Sequence, residues 1–129
     1  MANFRQATPC LNVPNFDETV AFFTDVLGFE AETFGFSGYA YLDREGVGIR
    51  VAHKDAPIPE GEGWCGVYID VWDVDALYAE LEDKLAHLPP GDVEGPVDRF
   101  YGQRELLIRA PFGKMITFGH DIDCKEAGR

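Results

Sequence analysis

Three histidines (His53, His87, His120), three cysteines (Cys10, Cys65, Cys124) and 23 Asp and Glu residues are the groups through which this 129-residue chain could hold a metal ion or move a proton. Their spacing fits none of the familiar local patterns. No HExxH occurs, so no helix face brings two imidazoles to one ion. The cysteines are odd in number and form no CxxC, which argues against a disulfide framework and a zinc knuckle. Cys10 and Cys65 lie in strand-like runs and read as small buried hydrophobes. There is neither a GxSxG elbow nor a glycine-rich phosphate loop. Carboxylates are so frequent that a pair at acid/base spacing is expected by chance, and Glu105 beside Arg104 reads as a structural ion pair. The expectation is therefore no catalytic residue, no metal ligand and no cofactor.

Aromatic rings are the second chemical resource. Phe34, Phe36 and Tyr39 lie in the first half, Trp64, Tyr68 and Trp72 in the second, and Phe100 and Tyr101 in a late loop. Trp72 and Tyr78 read as packing residues. Two rings can sandwich a planar group, worth ~0.5–1.5 kcal/mol per contact beyond burial. A cation over a ring adds ~0.5–2 kcal/mol. The charge balance suits such a ligand: 23 acidic against 11 basic residues give a formal net charge of -12. From Asp55 to Asp83 there are nine carboxylates and no Lys or Arg. Glu32, Glu60 and Glu62 would draw in a cationic tail. The same balance argues against nucleic acid and against anionic membrane surfaces as partners.

These residues must be positioned by a fold that the chain can afford. Its mass predicts roughly 21,000 Å² of surface unfolded and roughly 7,000 Å² folded, enough for a core without staples. No apolar run approaches the ~18 residues of a membrane span. The N-terminus has no signal-peptide core, so a cytoplasmic location is expected.

Two similar halves follow one another. Residues 4–13 read as a strand, Asn15 as an N-cap with Glu18 completing a capping box, and Phe16, Val20, Phe23 and Leu27 as a helix stripe stopped by Gly28. Strands follow around 30–35, 39–43 and 47–52. The second half repeats this with a strand over 64–72, Asp73 as N-cap, and Val74, Leu77, Tyr78, Leu81 and Leu85 as the stripe. Pro89-Pro90-Gly91 and Gly95-Pro96 mark loops, and 104–109 and 115–119 are strands joined by a Pro/Gly turn. The expected division of this single domain is module one over about 4–53, a linker over about 54–63, module two over about 64–120 and a tail over 121–129.

Ala7-Thr8-Pro9-Cys10-Leu11-Asn12-Val13 followed by Ala21-Phe22-Phe23-Thr24-Asp25-Val26-Leu27-Gly28-Phe29 resembles the glyoxalase/bleomycin resistance protein/extradiol dioxygenase superfamily, with the vicinal oxygen chelate fold. Asp75-Ala76-Leu77-Tyr78-Ala79-Glu80, Tyr101-Gly102-Gln103-Arg104-Glu105 and Pro111-Phe112-Gly113-Lys114 are most similar to the bleomycin resistance protein branch. The resemblance implies an α+β fold of two paired βαβββ modules, and a homodimer with clefts between subunits and the first strand exchanged around Pro9. It places the superfamily's metal-ligand positions at Thr8, Arg50, Gly66 and Thr117, where arginine cannot coordinate and glycine has no side chain. By strand alternation, His53 and His120 then point away from the cleft, and His87 ends the second helix. The implied function is capture, without chemistry, of a cationic, aromatic-containing antibiotic or metabolite in a dimer-interface cleft. The implied ligand-binding residues are Glu32, Phe34, Phe36, Tyr39, Glu60, Glu62, Trp64, Tyr68, Phe100 and Tyr101. The alternative is a metal-dependent glyoxalase-type lyase or dioxygenase of the same superfamily.

Overall fold

The computed structural model describes residues 2–35, 37–54 and 65–122. The chain divides into two compact units, Met1–Pro59 and Glu60–Arg129. Each has the order strand, helix, strand, strand, strand. Unit one holds β1 (Cys10–Val13), α1 (Phe16–Ala21), β2 (Glu30–Glu32), β3 (Tyr39–Arg44) and β4 (Val47–His53). Unit two holds β5 (Cys65–Asp70), α2 (Val74–Leu85), β6 (Val93–Arg99), β7 (Gln103–Ala110) and β8 (Lys114–Asp121). The two sheets share one topology, β1-β4-β3-β2 and β5-β8-β7-β6, in which the first strand runs parallel to the last and the other pairs are antiparallel. All but Lys54 of the expected linker 54–63 lies outside the described residues.

Local chemistry explains where the helices begin. The Asn15 side chain accepts the Glu18 backbone N–H at 3.0 Å, and Asp73 does the same for Ala76 at 3.0 Å. A second acceptor meets α2 from the sheet, where His120 Nδ1 takes the Val74 N–H at 2.8 Å. After Ala21 the first helix widens into a π turn, Phe22–Val26. Phe23 then sits edge-on to both Phe22 (6.1 Å) and Phe29 (5.6 Å). Gly28, at φ 76, ends the segment, and Arg44 Nη1 donates to the Leu27 carbonyl at 2.8 Å.

The helix covers one face of each sheet, and strand alternation sorts the side chains accordingly. In unit one Leu11, Val13, Ala40, Leu42, Ile49 and Val51 are buried with Phe23 and Leu27. In unit two Ile69, Leu106, Ile108, Ile116 and Phe118 are buried with Val74, Leu81 and Leu85. Arg44 and His120 share the parity of these core residues and reach the helices, which fixes which face is which. His53 also shares this parity, so the helix-free faces carry neither His53 nor His120.

Several expectations need correction. The first strand spans only Cys10–Val13, its pairing with β4 starting at Cys10 with the Pro9 carbonyl accepting the Arg50 N–H at 2.9 Å. Cys10 is exposed, on the helix-free parity, and is not a core residue. Trp72 is 100% exposed, because β5 ends at Asp70 and the chain turns out before α2. Gly95-Pro96 is not a loop but lies inside β6, where the register slips between Glu94 and Val97. A proline lacks an N–H for the ladder and is accommodated at such a bulge. Gly95 has φ 98, and a Cβ there would strike the Glu105 carbonyl. Among the described residues no helix is long and apolar enough to cross a membrane.

The cap geometry predicts that Asp73→Ala destabilises the protein by about 1 kcal/mol while Asp73→Asn is nearly neutral. Urea denaturation of the two variants checks this.

Candidate ligand-binding faces

The helix-free face of unit two is organised around Glu105, a carboxylate only 4% exposed. It enters the sheet on β7 opposite Gly119 and Val97. Its parity takes it away from Leu106 and Ile108, so it has no helix above it and needs polar partners. Tyr68 Oη lies 2.9 Å from Glu105 Oε2 and 3.0 Å from Gln103 Oε1. Tyr101 Oη lies 2.9 Å from both carboxylate oxygens. Arg99 Nε donates to Oε1 at 3.0 Å, and Arg99 Nη2 to Glu94 at 2.6 Å. Two phenols and a guanidinium thus satisfy one buried charge. Gln103 Nε2 donates in turn to Asp121.

A strand glycine makes this possible. Tyr68 stands on β5 opposite Thr117, and to reach Glu105 its ring crosses the β8 backbone at Gly119. A Cβ at Gly119 would overlap Tyr68 Oη. The hydroxyl end is tied down while the side chain stays accessible, 45% exposed for Tyr68 and 47% for Tyr101. Phe100, also exposed, stands edge-on to Tyr101 at 5.1 Å. Burial, and then the neighbouring Glu105 carboxylate, push both phenols above the usual tyrosine range. Glu105 does not pair with Arg104, as adjacency had suggested. Successive strand residues face opposite ways, and Arg104 pairs instead with Asp98 (2.6 Å) and Asp75 (2.7 Å) on the helix side. The Arg104 contact holds Asp98 below the usual carboxylate range.

The helix-free face of unit one has an arginine, Arg50, in a central strand, with Glu30, Glu32 and Asp43 on the same parity. Glu32, Tyr41, Arg50 and Cys10 lie in one row across β2, β3, β4 and β1, and Tyr39, Ala52 and Asn12 in the next. Arg50 Nη1 donates to Tyr39 Oη, and Arg50 Cζ stands 5.1 Å from the Tyr41 ring centroid. Tyr41 lies over Gly48, where a Cβ would overlap its hydroxyl. Phe34 approaches Tyr39, ring centroids 6.1 Å apart and tilted by 43°. Phe34 has φ 56, a conformation that side chains other than glycine rarely adopt, so the loop displays this ring at a local conformational cost.

The structure therefore brings Phe34 to Tyr39 and, through Glu105, Tyr68 to Tyr101 with Phe100 alongside. Glu32 is exposed in β2 and shares the row of Tyr41 and Arg50. Phe36, Glu60, Glu62 and Trp64 lie outside the described residues. Sequence reasoning missed Arg50, Tyr41 and Gly48 in unit one, and Arg99, Gln103, Glu105 and Gly119 in unit two, as organisers of these faces. The signal was present in Gly48 and Gly119, since a glycine inside a strand often marks close approach of another group.

A divalent ion does not fit the positions that the resemblance gives it. Arg50 brings a fixed cation there, held by two tyrosines, and Gly66 brings no donor. Among the described residues no three His, Cys, Asp or Glu side chains are grouped so as to hold a metal ion.

Two successive βαβββ units with mixed four-stranded sheets define the vicinal oxygen chelate fold. The chain belongs to the Glyoxalase/Bleomycin resistance protein/Dioxygenase superfamily, whose family model matches residues 5–118. Among solved structures it is similar to a bleomycin resistance determinant encoded on the transposon Tn5, at 21% identity and a TM-score of 0.76, covering 92% of this chain and 98% of that one. It is also similar to the bleomycin-binding protein of bleomycin-producing Streptomyces verticillus, complexed with copper(II)-bleomycin, at 25% identity and a TM-score of 0.66, covering 92% and 97%. A glyoxalase/bleomycin resistance protein/dioxygenase from Nocardioides gives 17% identity and a TM-score of 0.72, covering 95% and 87%. A comparison with curated protein sequences finds no significant match.

The Glu105 cluster makes stability depend on alkaline pH. A phenol whose folded pKa is raised keeps its proton longer in the folded chain. Its contribution is complete below the unfolded value of about 10 and is lost as pH climbs toward the higher folded value. Tyrosinate absorbance is expected to show Tyr68 and Tyr101, assigned through Tyr68→Phe and Tyr101→Phe, ionising above that value. Glu105→Leu is expected to bring both down part of the way and to cost about 1–3 kcal/mol, as three donors lose their acceptor.

Proposed function

We propose that this protein is a bleomycin resistance-like binding protein. It captures a cationic, aromatic-containing antibiotic or metabolite stoichiometrically and does no chemistry on it. The observation that carries this reading is the pair of tyrosines on unit two, tied by their hydroxyls to Glu105 and still accessible. A ring anchored at its polar end loses little freedom when a planar ligand stacks on it, so more of the stacking energy is left for affinity. Phe34 and Tyr39 supply a second aromatic pair.

The proposed binding set is Glu32, Phe34, Phe36, Tyr39, Glu60, Glu62, Trp64, Tyr68, Phe100 and Tyr101, with the acidic members steering a cation toward the rings. Capture in a cleft between two copies of the chain, in the cytoplasm, completes the proposal, with residues 54–63 linking the modules. The net charge of -12 supports attraction of a cation. The likeness to a protein complexed with copper(II)-bleomycin supports the ligand class.

Calorimetric titration of the purified protein with metal-free bleomycin and with copper(II)-bleomycin tests the reading. Saturable binding with one ligand site per chain is expected, weakened at least about tenfold in a Tyr68→Ala/Tyr101→Ala variant as two stacking contacts are lost. Absence of heat and of tryptophan quenching at micromolar protein would exclude bleomycin. A tightly held metal ion found by elemental analysis would instead favour the metal-dependent alternative.

A further inference from the structure

We infer that Arg50 is an oxyanion receptor, which takes the carboxylate of a planar aromatic ligand on the helix-free face of unit one. The inference rests on the reading above that this face meets the ligand, and it adds an anionic group to that ligand's chemistry. The guanidinium is half-buried and held in place, yet neither of its partners is anionic. Nη1 donates to the Tyr39 hydroxyl, and the Tyr41 ring lies 5.1 Å from Cζ. Among the described residues no carboxylate comes within ion-pairing distance of it. Arg44, Arg99, Arg104 and Arg109 each have such a partner. In a chain with 23 acidic and 11 basic residues, a fixed arginine without a carboxylate stands out against its own background.

The orientation suits a planar acceptor. With Nη1 engaged by Tyr39 and the guanidinium held against the Tyr41 ring, the Nε–Nη2 edge keeps two parallel N–H donors. A carboxylate accepts such a pair bidentately, and a lysine in the same place would offer only a point charge. Tyr39, bonded to Nη1, has Phe34 against its ring, so a ring attached to the carboxylate has aromatic groups on the same face. The contrast with unit two is direct. There the buried charge, Glu105, is already matched by Arg99 and two phenols and has nothing left to offer a ligand. At the position where the resemblance puts a metal ligand, the chain carries its own positive charge, which can receive an oxygen ligand without an ion.

The test uses a naphthalene carboxylate and its neutral carboxamide as matched probes on the intact protein, followed by NMR of the Arg50 side chain and the Tyr39 ring. The carboxylate is expected to shift both sets of resonances and to bind at least about tenfold more tightly than the amide. Arg50→Gln is expected to abolish that preference, and Arg50→Lys to keep part of it because charge survives without the fork. Thermal melts confirm that each variant is folded. Equal binding of the two probes, no binding of the carboxylate, or an unchanged preference in Arg50→Gln would each overturn the inference. The bleomycin titration separates the two proposals. Bleomycin binding without a carboxylate preference defeats only the Arg50 inference, whereas a carboxylate preference without bleomycin binding defeats only the drug-capture reading.

Discussion

A four-stranded sheet that carries a single helix can bury only one of its faces. In both units the middle of that face is apolar along the central strands, Leu42, Ile49 and Val51 in one and Leu106, Ile108 and Ile116 in the other, with polar residues such as Arg44, His53, Arg104 and His120 toward the strand ends. Burying such side chains contributes ~1.5–3 kcal/mol each, and this is the term that sets strand register. A slip of one residue would exchange Ile49 and Val51 for Gly48 and Arg50 beneath the helix. The composition of the helix-free face then follows from the register. It is whatever the alternate residues provide, and polar groups placed there must find partners within the face.

The two units meet that requirement differently. Unit two places a carboxylate in the sheet and surrounds it with donors from β5, β6 and the turn before β7. A buried charge missing one of these partners would be costly, so the cluster also fixes where Tyr68 and Tyr101 stand. Unit one places a guanidinium in the sheet and holds it with phenol groups only. Tyrosine can orient an arginine without neutralising it. Position is thereby specified while charge is left available, a condition suited to recognition and poorly suited to stability alone.

Much of this frame was legible in the residues. The N-caps Asn15 and Asp73 announce both helices because their side chains satisfy backbone donors locally. The repeated order of elements, and the placing of His53 and His120 away from the helix-free faces, follow from period-two alternation once register is known. What failed depended on contacts distant in sequence. Glu105 was assigned to its neighbour Arg104, but its partners lie 37 residues back at Tyr68 and six residues back at Arg99. Cys10 and Trp72 looked like core residues by type alone, since nothing local reveals that β1 is an edge strand or that β5 stops at Asp70. Gly95-Pro96 looked like a loop because a bulge uses the same residues as a turn.

Both faces use one device, a tyrosine laid over a strand glycine, but at different points of the shared topology. Tyr41 reaches from β3 over Gly48 on β4, whereas Tyr68 reaches from β5 over Gly119 on β8. Measured from Arg50 and Thr117, corresponding positions in the fourth and eighth strands, one glycine lies two residues before and the other two residues after. The repeat therefore preserves the backbone frame and the helix side, where packing allows little change. It has diverged on the side where packing imposes least. An acidic cluster closed on itself and an arginine left open are the two outcomes.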